Sequence, residues 1–286
     1  MIENKMNILN SVFTRSALRH LIDSKRDKSY SAVVKRYVEN PELKKNADLI
    51  SAIYTELREG YRNEYFYKNT LLNKLLLGVH SMNTTTALTE IPIAKSKADF
   101  LLINGKAVVY EIKTELDNFE RLETQITDYY RAFDHVAVVT SELNLPILEK
   151  KLEVIDKPVG VYVLTKKGSL HTERKPQKYE KDLDLEILFK LLRKPEYESI
   201  ILEKFGELPN VNQFEYYREC KKMFLKIPID DAYLLVIRQL KKRAQIIKDE
   251  FVNVPYELKF LVYFMELKKD DYQNLNEFLQ QRYGGA

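Results

Sequence analysis

Two short runs, Ala98-Asp-Phe-Leu-Leu-Ile103 and Ala107-Val-Val-Tyr-Glu-Ile-Lys113, flank Asn104-Gly105 and constrain the fold more tightly than any other stretch of this chain. Both are rich in apolar and β-favouring residues, and Asn-Gly between such runs is a hairpin signature. Side chains alternate along a strand, so Glu111 and Lys113 share a face. Asp99 joins them only if the turn has an odd number of residues. A two-residue loop at Asn104-Gly105 pairs Asp99 with Tyr110 and sends its carboxylate to the far side. A three-residue loop of Ile103, Asn104 and Gly105, with Gly105 left-handed, pairs Asp99 with Val109 and sets Glu111 diagonal to it on one face. The odd-length loop is the expectation carried forward. The other face then holds Ala98, Phe100, Leu102, Val108, Tyr110 and Ile112, all apolar, while the charged face also carries Leu101, Ala107 and Val109. A sheet that is apolar on both sides is covered on both sides, as in α/β architectures.

Two carboxylates and a lysine at the end of so apolar a hairpin are costly to bury unless something pairs them. A divalent cation is the simplest partner. Asp99, Glu111 and the carbonyl of Ile112 offer hard oxygen ligands of the kind Mg²⁺ takes, with Mn²⁺ as a substitute, and waters and substrate phosphate would complete the sphere. Lys113 would not ligate the ion; its ammonium could orient or help deprotonate a water, or stabilise charge developing on a phosphate.

The segment that follows, 116–133, reads as an amphipathic helix with Leu122, Ile126, Tyr129 and Phe133 on one stripe against the sheet. Arg121, Gln125 and Tyr129 form the adjacent stripe, so a guanidinium and an amide can face the strand ends. His135-Val-Ala-Val-Val-Thr140 is then a further buried strand. Upstream, a helix over 61–79 places Glu64 on one face with Tyr61, Lys68, Leu71 and Leu75, its carboxylate turned inward or paired with Lys68. Glu90, just before Ile91-Pro-Ile93, is a weaker acidic candidate and reads as the start of an edge strand.

Asp99 followed by Glu111-Ile-Lys113 resembles the signature of the PD-(D/E)XK nuclease superfamily, and Gln125-Ile-Thr-Asp-Tyr129 is similar to the Gln-x-x-x-Tyr element of its RecB-like members. With Gly78-Val-His80, Glu90-Ile-Pro-Ile93, Lys97-Ala-Asp99, Arg121-Leu122 and Gly160-Val-Tyr-Val-Leu164, the pattern resembles a branch made up of bacterial proteins of similar length, over roughly residues 60 to 200. Ala98 stands where the superfamily usually has proline. The resemblance implies a restriction-endonuclease-like core: a mixed central sheet flanked by helices. It also implies a Mg²⁺-dependent nuclease, acting on DNA more readily than RNA, with Glu64, Asp99, Glu111, Lys113 and Gln125 as site residues. Glu64, Asp99, Glu111 and Ile112 would hold the metal. The alternative is a nucleic-acid-binding or adaptor protein that keeps the fold without the chemistry.

Punctuation suggests an N-terminal helical segment over 1–50, the α/β core over 51–175 and a helical C-terminal domain over 176–286 that could serve a protein partner or homodimer. Within the last, helices are expected over 183–192, 212–225, 230–252, 257–268 and 272–283, with a break at Pro195. Lone Cys220 fits a reducing cytoplasm and argues against disulfides or structural zinc, and scattered His20, His80, His135 and His171 argue against a histidine-based hydrolase. No apolar run reaches the length of a membrane span, and the start is unlike a signal peptide. The balance of 46 basic against 42 acidic residues makes nucleic-acid binding a matter of local clusters, of which Lys241-Lys-Arg243, Lys166-Lys167 and Arg174-Lys175 are the visible ones.

Overall fold

The structure is a computed structural model that describes residues 8–60, 62–79, 82–244 and 246–284. Its contacts gather the chain into two units, residues 1–82 with 245–286, and residues 83–244; the sequence punctuation had divided it at 50/51 and 175/176.

In the first unit, α1 (Arg15–Ser24) begins where the Thr14 hydroxyl accepts from the Ala17 N–H, and α2 (Lys28–Tyr37) where Asp27 accepts from that of Tyr30. Helix α3 (Asn46–Gly60) buries Leu49, Ile50, Ile53, Tyr54 and Leu57 along one stripe. Helix α4 (Glu64–Leu71) starts after Asn63, whose side chain accepts from the Phe66 N–H at 2.9 Å, and the chain continues as a π-helix over Leu72–Val79. The cap sets the helix start later than the expected 61, and Tyr61 and His80 lie outside the described residues.

The second unit is built on a six-stranded sheet: β1 (Thr86–Ile93), β2 (Ser96–Asn104), β3 (Lys106–Lys113), β4 (His135–Ser141), β5 (Gly160–Leu164) and β6 (Leu170–Arg174), in that spatial order. β1, β2 and β3 run antiparallel, β4 and β5 continue parallel to β3, and β6 returns antiparallel. The crossovers carry α5 (Leu122–Tyr130) and α6 (Leu145–Leu152). This is the mixed, helix-flanked α/β sheet that the sequence led us to expect. Pro92 sits in edge strand β1, where a missing N–H is tolerated. Gly160 opens β5 without a side chain because a Cβ there would come within 2.7 Å of the Pro176 nitrogen.

Both faces of the sheet are buried. Leu101, Ile103 and Val109 pack in one cluster with Leu122, Ile126 and Phe133, each such side chain contributing about 1.5–3 kcal/mol relative to exposure. On the opposite face Phe100, Tyr110 and Tyr162 bring their rings together, with centroids 6.1 and 5.5 Å apart.

Helix α5 starts at Leu122, later than the expected 116, because Asp117 turns back to accept from both the N–H and hydroxyl of Thr114 at 2.7 Å, holding the intervening chain as a loop. After the sheet come α7 (Leu185–Leu191), α8 (Lys194–Phe205), α9 (Gln213–Phe224) and α10 (Ile229–Lys241). Pro195 lies in the first turn of α8, a helix not foreseen, where proline is tolerated. The helix expected over 230–252 is interrupted: α10 ends at Lys241, and Arg243 bonds Glu196 and the Leu191 carbonyl. The chain returns to the first unit with α11 (Lys248–Phe251), α12 (Lys259–Tyr263) and α13 (Lys269–Gln280). Among the described residues, no helix is long and apolar enough to cross a membrane.

Candidate active site

The β2–β3 ladder pairs Asn104 with Lys106, Ile103 with Ala107, and so on to Phe100 with Tyr110. One step further along the same register sets Asp99 level with Glu111. The turn is odd in length and Gly105 is left-handed, with φ +68°, as expected. It is centred one residue later than expected, however. Ile103 pairs with Ala107 and stays 1% exposed instead of entering the loop, so Asp99 faces Glu111 directly and not across a diagonal.

A third carboxylate falls on the same level. β1 pairs Thr89 with Phe100 and Ile91 with Ala98, which brackets Glu90 opposite Asp99. Glu90 has φ +57°, a left-handed conformation that is uncommon for a residue with a side chain. A carboxylate oxygen of Glu90 and one of Asp99 lie within 4.8 Å of each other. Glu90 thus stands inside β1, not at its start, and forms an ion pair with Lys97. The available signal was a carboxylate set between the apolar residues Leu88 and Ile91 of an edge strand.

Burial is graded across this row. Glu111 and Lys113 are buried, Asp99 and Gln125 are half-buried, and Glu90 is more open. Asp99 is fixed by the Ile112 N–H, which donates to its Oδ2 at 2.8 Å; the Ile112 side chain itself lies buried on the opposite face. Lys113 Nζ lies 3.0 Å from Glu111 Oε1 and donates to Gln125 Oε1 at 2.9 Å, while Gln125 Nε2 donates to Glu111 Oε1 at 2.5 Å. The other Glu111 oxygen accepts from the Tyr129 hydroxyl, also at 2.5 Å. That hydroxyl lies 3.0 Å from the Lys97 carbonyl as well, so the phenol ties β2 to β3. Burial, then the nearby Glu111 charge, holds the Tyr129 phenol protonated far above its ordinary range. The helix stripe had placed Tyr129 in the core and in the Gln-x-x-x-Tyr element, but its bond to Glu111 was not foreseen.

Glu64 and Arg121 are the remaining expected participants. Glu64, at the start of α4 in the first unit, is 54% exposed and ion-paired with Lys68 at 2.5 Å, the i, i+4 pair that helical spacing offers. Arg121 is exposed at the N-cap of α5, a turn before Gln125.

Hard carboxylate oxygens converging beside a fixed ammonium are suited to holding a divalent cation against a phosphate. Comparison with known proteins gives no significant match among curated proteins or solved structures. Residues 57–263, well over half of the chain, match the family model described as bacteriophage P4 protein cII. The chain therefore belongs to the bacteriophage P4 protein cII family.

Proposed function

We propose that this protein is a metal-dependent nuclease of the PD-(D/E)XK kind, hydrolysing phosphodiester bonds of nucleic acid, with DNA preferred over RNA. The observation that carries the proposal is the register that sets Asp99 level with Glu111, with Lys113 on the same face and held by Gln125. The mixed, helix-flanked sheet suits it. The family description names no reaction, so the chemistry rests on these residues.

Glu90, Asp99, Glu111 and the Ile112 carbonyl would hold Mg²⁺ or Mn²⁺. The donors are all oxygen, the hard ligands that Mg²⁺ takes, and a Glu90 and an Asp99 carboxylate oxygen lie within 4.8 Å of each other. When bound, such an ion supplies a Lewis acid for the phosphoryl oxygens and a more acidic water. The protein's own share follows from the contacts. Glu111 spends Oε2 on a single hydrogen bond, from Tyr129, and so keeps a lone pair on that atom. Lys113 has three N–H donors, of which Gln125 and Glu111 take two, and the third can meet a water or a phosphate oxygen. Gln125 stops the ammonium from swinging away, which keeps that donor in place without reorganisation.

The test is incubation of the full chain with single- and double-stranded DNA and RNA in Mg²⁺, in Mn²⁺ and in EDTA, beside Asp99→Asn. Metal-dependent cleavage that the variant lacks supports the proposal; inertness on every substrate with both metals refutes it. One observation favours a second reading, a nucleic-acid-binding protein without catalysis: both Glu111 oxygens are already engaged by side chains, as in a purely structural polar network.

A further inference from the structure

The first unit carries a concentration of positive charge that starts from the run Lys25-Arg26-Asp27-Lys28. Two adjoining furrows, of about 930 and 380 Å³, share Arg26, Ser31 and Lys35. Their linings bring together Lys25, Arg26, Lys28, Lys35 and Arg282 against one acidic residue, Asp27. Asp27 is occupied, accepting from the Tyr30 N–H at 2.9 Å and standing 3.0 Å from His20 Nδ1. Lys25 is partly neutralised, with Glu277 at 3.4 Å. Arg26, Lys28, Lys35 and Arg282 are exposed and have no acidic partner among the described residues. The whole chain has a net charge of only +4, so this patch is a local asymmetry and not a general basic surface.

The furrow is built into the backbone of the unit. The Asn46 N–H donates to the Gln281 carbonyl at 3.0 Å and the Tyr283 N–H to that of Lys44 at 3.2 Å, which fixes the segment bearing Arg282 beside the start of α3. Tyr283 is half-buried in the second furrow, with its ring edge-on to Tyr30 at 6.3 Å. A membrane-binding face would add exposed leucine, phenylalanine or tryptophan, and neither lining has any.

We infer that this furrow binds the sugar-phosphate backbone of single-stranded nucleic acid, with Arg26 and Lys35 contacting phosphates and the Tyr283 ring offering a surface on which a base can stack. Basic grooves interleaved with aromatic rings track single strands in this way, tolerant of sequence and sensitive to salt. The inference deepens the nuclease proposal and rests on it for the identity of the polyanion. It makes the first unit the strand-gripping part of the protein.

The experiment measures binding of the full chain to a fluorescent single-stranded oligonucleotide of roughly 20 nucleotides, in EDTA so that no cleavage occurs, over a range of salt. Arg26→Gln with Lys35→Gln is expected to weaken binding by about tenfold and to flatten the dependence of log affinity on log salt by about 1.4, roughly 0.7 for each lost phosphate contact. Lys150→Gln with Lys151→Gln, the same charge change at exposed positions of α6 in the second unit, is expected to bind as the wild type does. Circular dichroism of the first double variant checks its fold, and Arg282→Gln alone, with a smaller expected loss, gives an independent reading. Equal effects of the two double variants would overturn the inference. So would tighter binding to phosphatidylserine vesicles than to the oligonucleotide, or displacement of the oligonucleotide by polyglutamate as readily as by unlabelled strand. Binding that depends on the furrow in a protein that never cleaves would keep the furrow and refute the nuclease. Cleavage with furrow-independent binding would do the reverse.

Discussion

The Gln125 amide oxygen accepts from the Lys113 ammonium at 2.9 Å, and the same amide's nitrogen donates to Glu111. One helix side chain thus fixes the lysine and one carboxylate of the strand together. Gln125→Ala is expected to lower single-turnover cleavage by about 10–100-fold, as loss of a ligand-orienting partner does. It is also expected to cost about 1–3 kcal/mol in urea unfolding, because two buried polar groups lose a partner. Cleavage at the wild-type rate would return Gln125 to an ordinary packing role.

Glu90 is expected to give opposite signs for stability and metal affinity. Its left-handed φ of +57° costs about 1–3 kcal/mol that glycine would not pay. Glu90→Gly should therefore leave the protein as stable or more so, while weakening Mn²⁺ binding in calorimetric titration. Glu90→Gln should weaken Mn²⁺ binding without that gain. Unchanged Mn²⁺ affinity in both variants would remove Glu90 from the metal centre.

Far along the sheet from the site residues, at the start of β4, Asp134 makes a pH-dependent contribution to stability. Burial pushes its carboxyl up, but hydrogen bonds from His135 at 2.8 Å and Tyr233 at 2.5 Å outweigh this and hold its pKa below the ordinary 3.8. A carboxyl with a depressed folded pKa stabilises above its unfolded pKa, and that stabilisation is lost as pH falls through the folded value. Tyr233→Phe should accordingly cost about 1–3 kcal/mol at neutral pH, with the difference from wild type shrinking as pH drops below 3.8. A difference that stays constant down through that range would mean that the contact does not depend on the Asp134 charge.

The odd parity of the hairpin was legible because Asn104-Gly105 between apolar runs is a local signal, and parity alone decides which face Asp99 takes. The register was not, because keeping Ile103 buried opposite Ala107 is decided by the tertiary core. Gln125 and Tyr129 could be placed from helical spacing once the apolar stripe of α5 was recognised. The left-handed Glu90 has no such signature: nothing in its flanking residues demands positive φ, and its neighbour Asp99 comes from another strand. The Glu64–Lys68 pair followed from helical spacing, whereas the Asn63 cap that starts α4 at Glu64 did not. The basic furrow was the least visible feature, since Arg26 and Arg282 meet only through contacts between the two ends of the chain.

The decisive measurement is single-turnover cleavage of end-labelled DNA in Mn²⁺ by wild type, Asp99→Asn and Lys113→Ala, each checked for fold by circular dichroism. Asparagine can still accept from the Ile112 N–H, so Asp99→Asn removes charge while keeping the local bond. Wild type should cleave and be stopped by EDTA, and both variants should fall by at least about 10²-fold. Lys113→Arg should not recover the rate, because a planar fork cannot replace the point charge at that buried position. Cleavage by Asp99→Asn at the wild-type rate, or no cleavage by the wild type with either metal, would contradict the account.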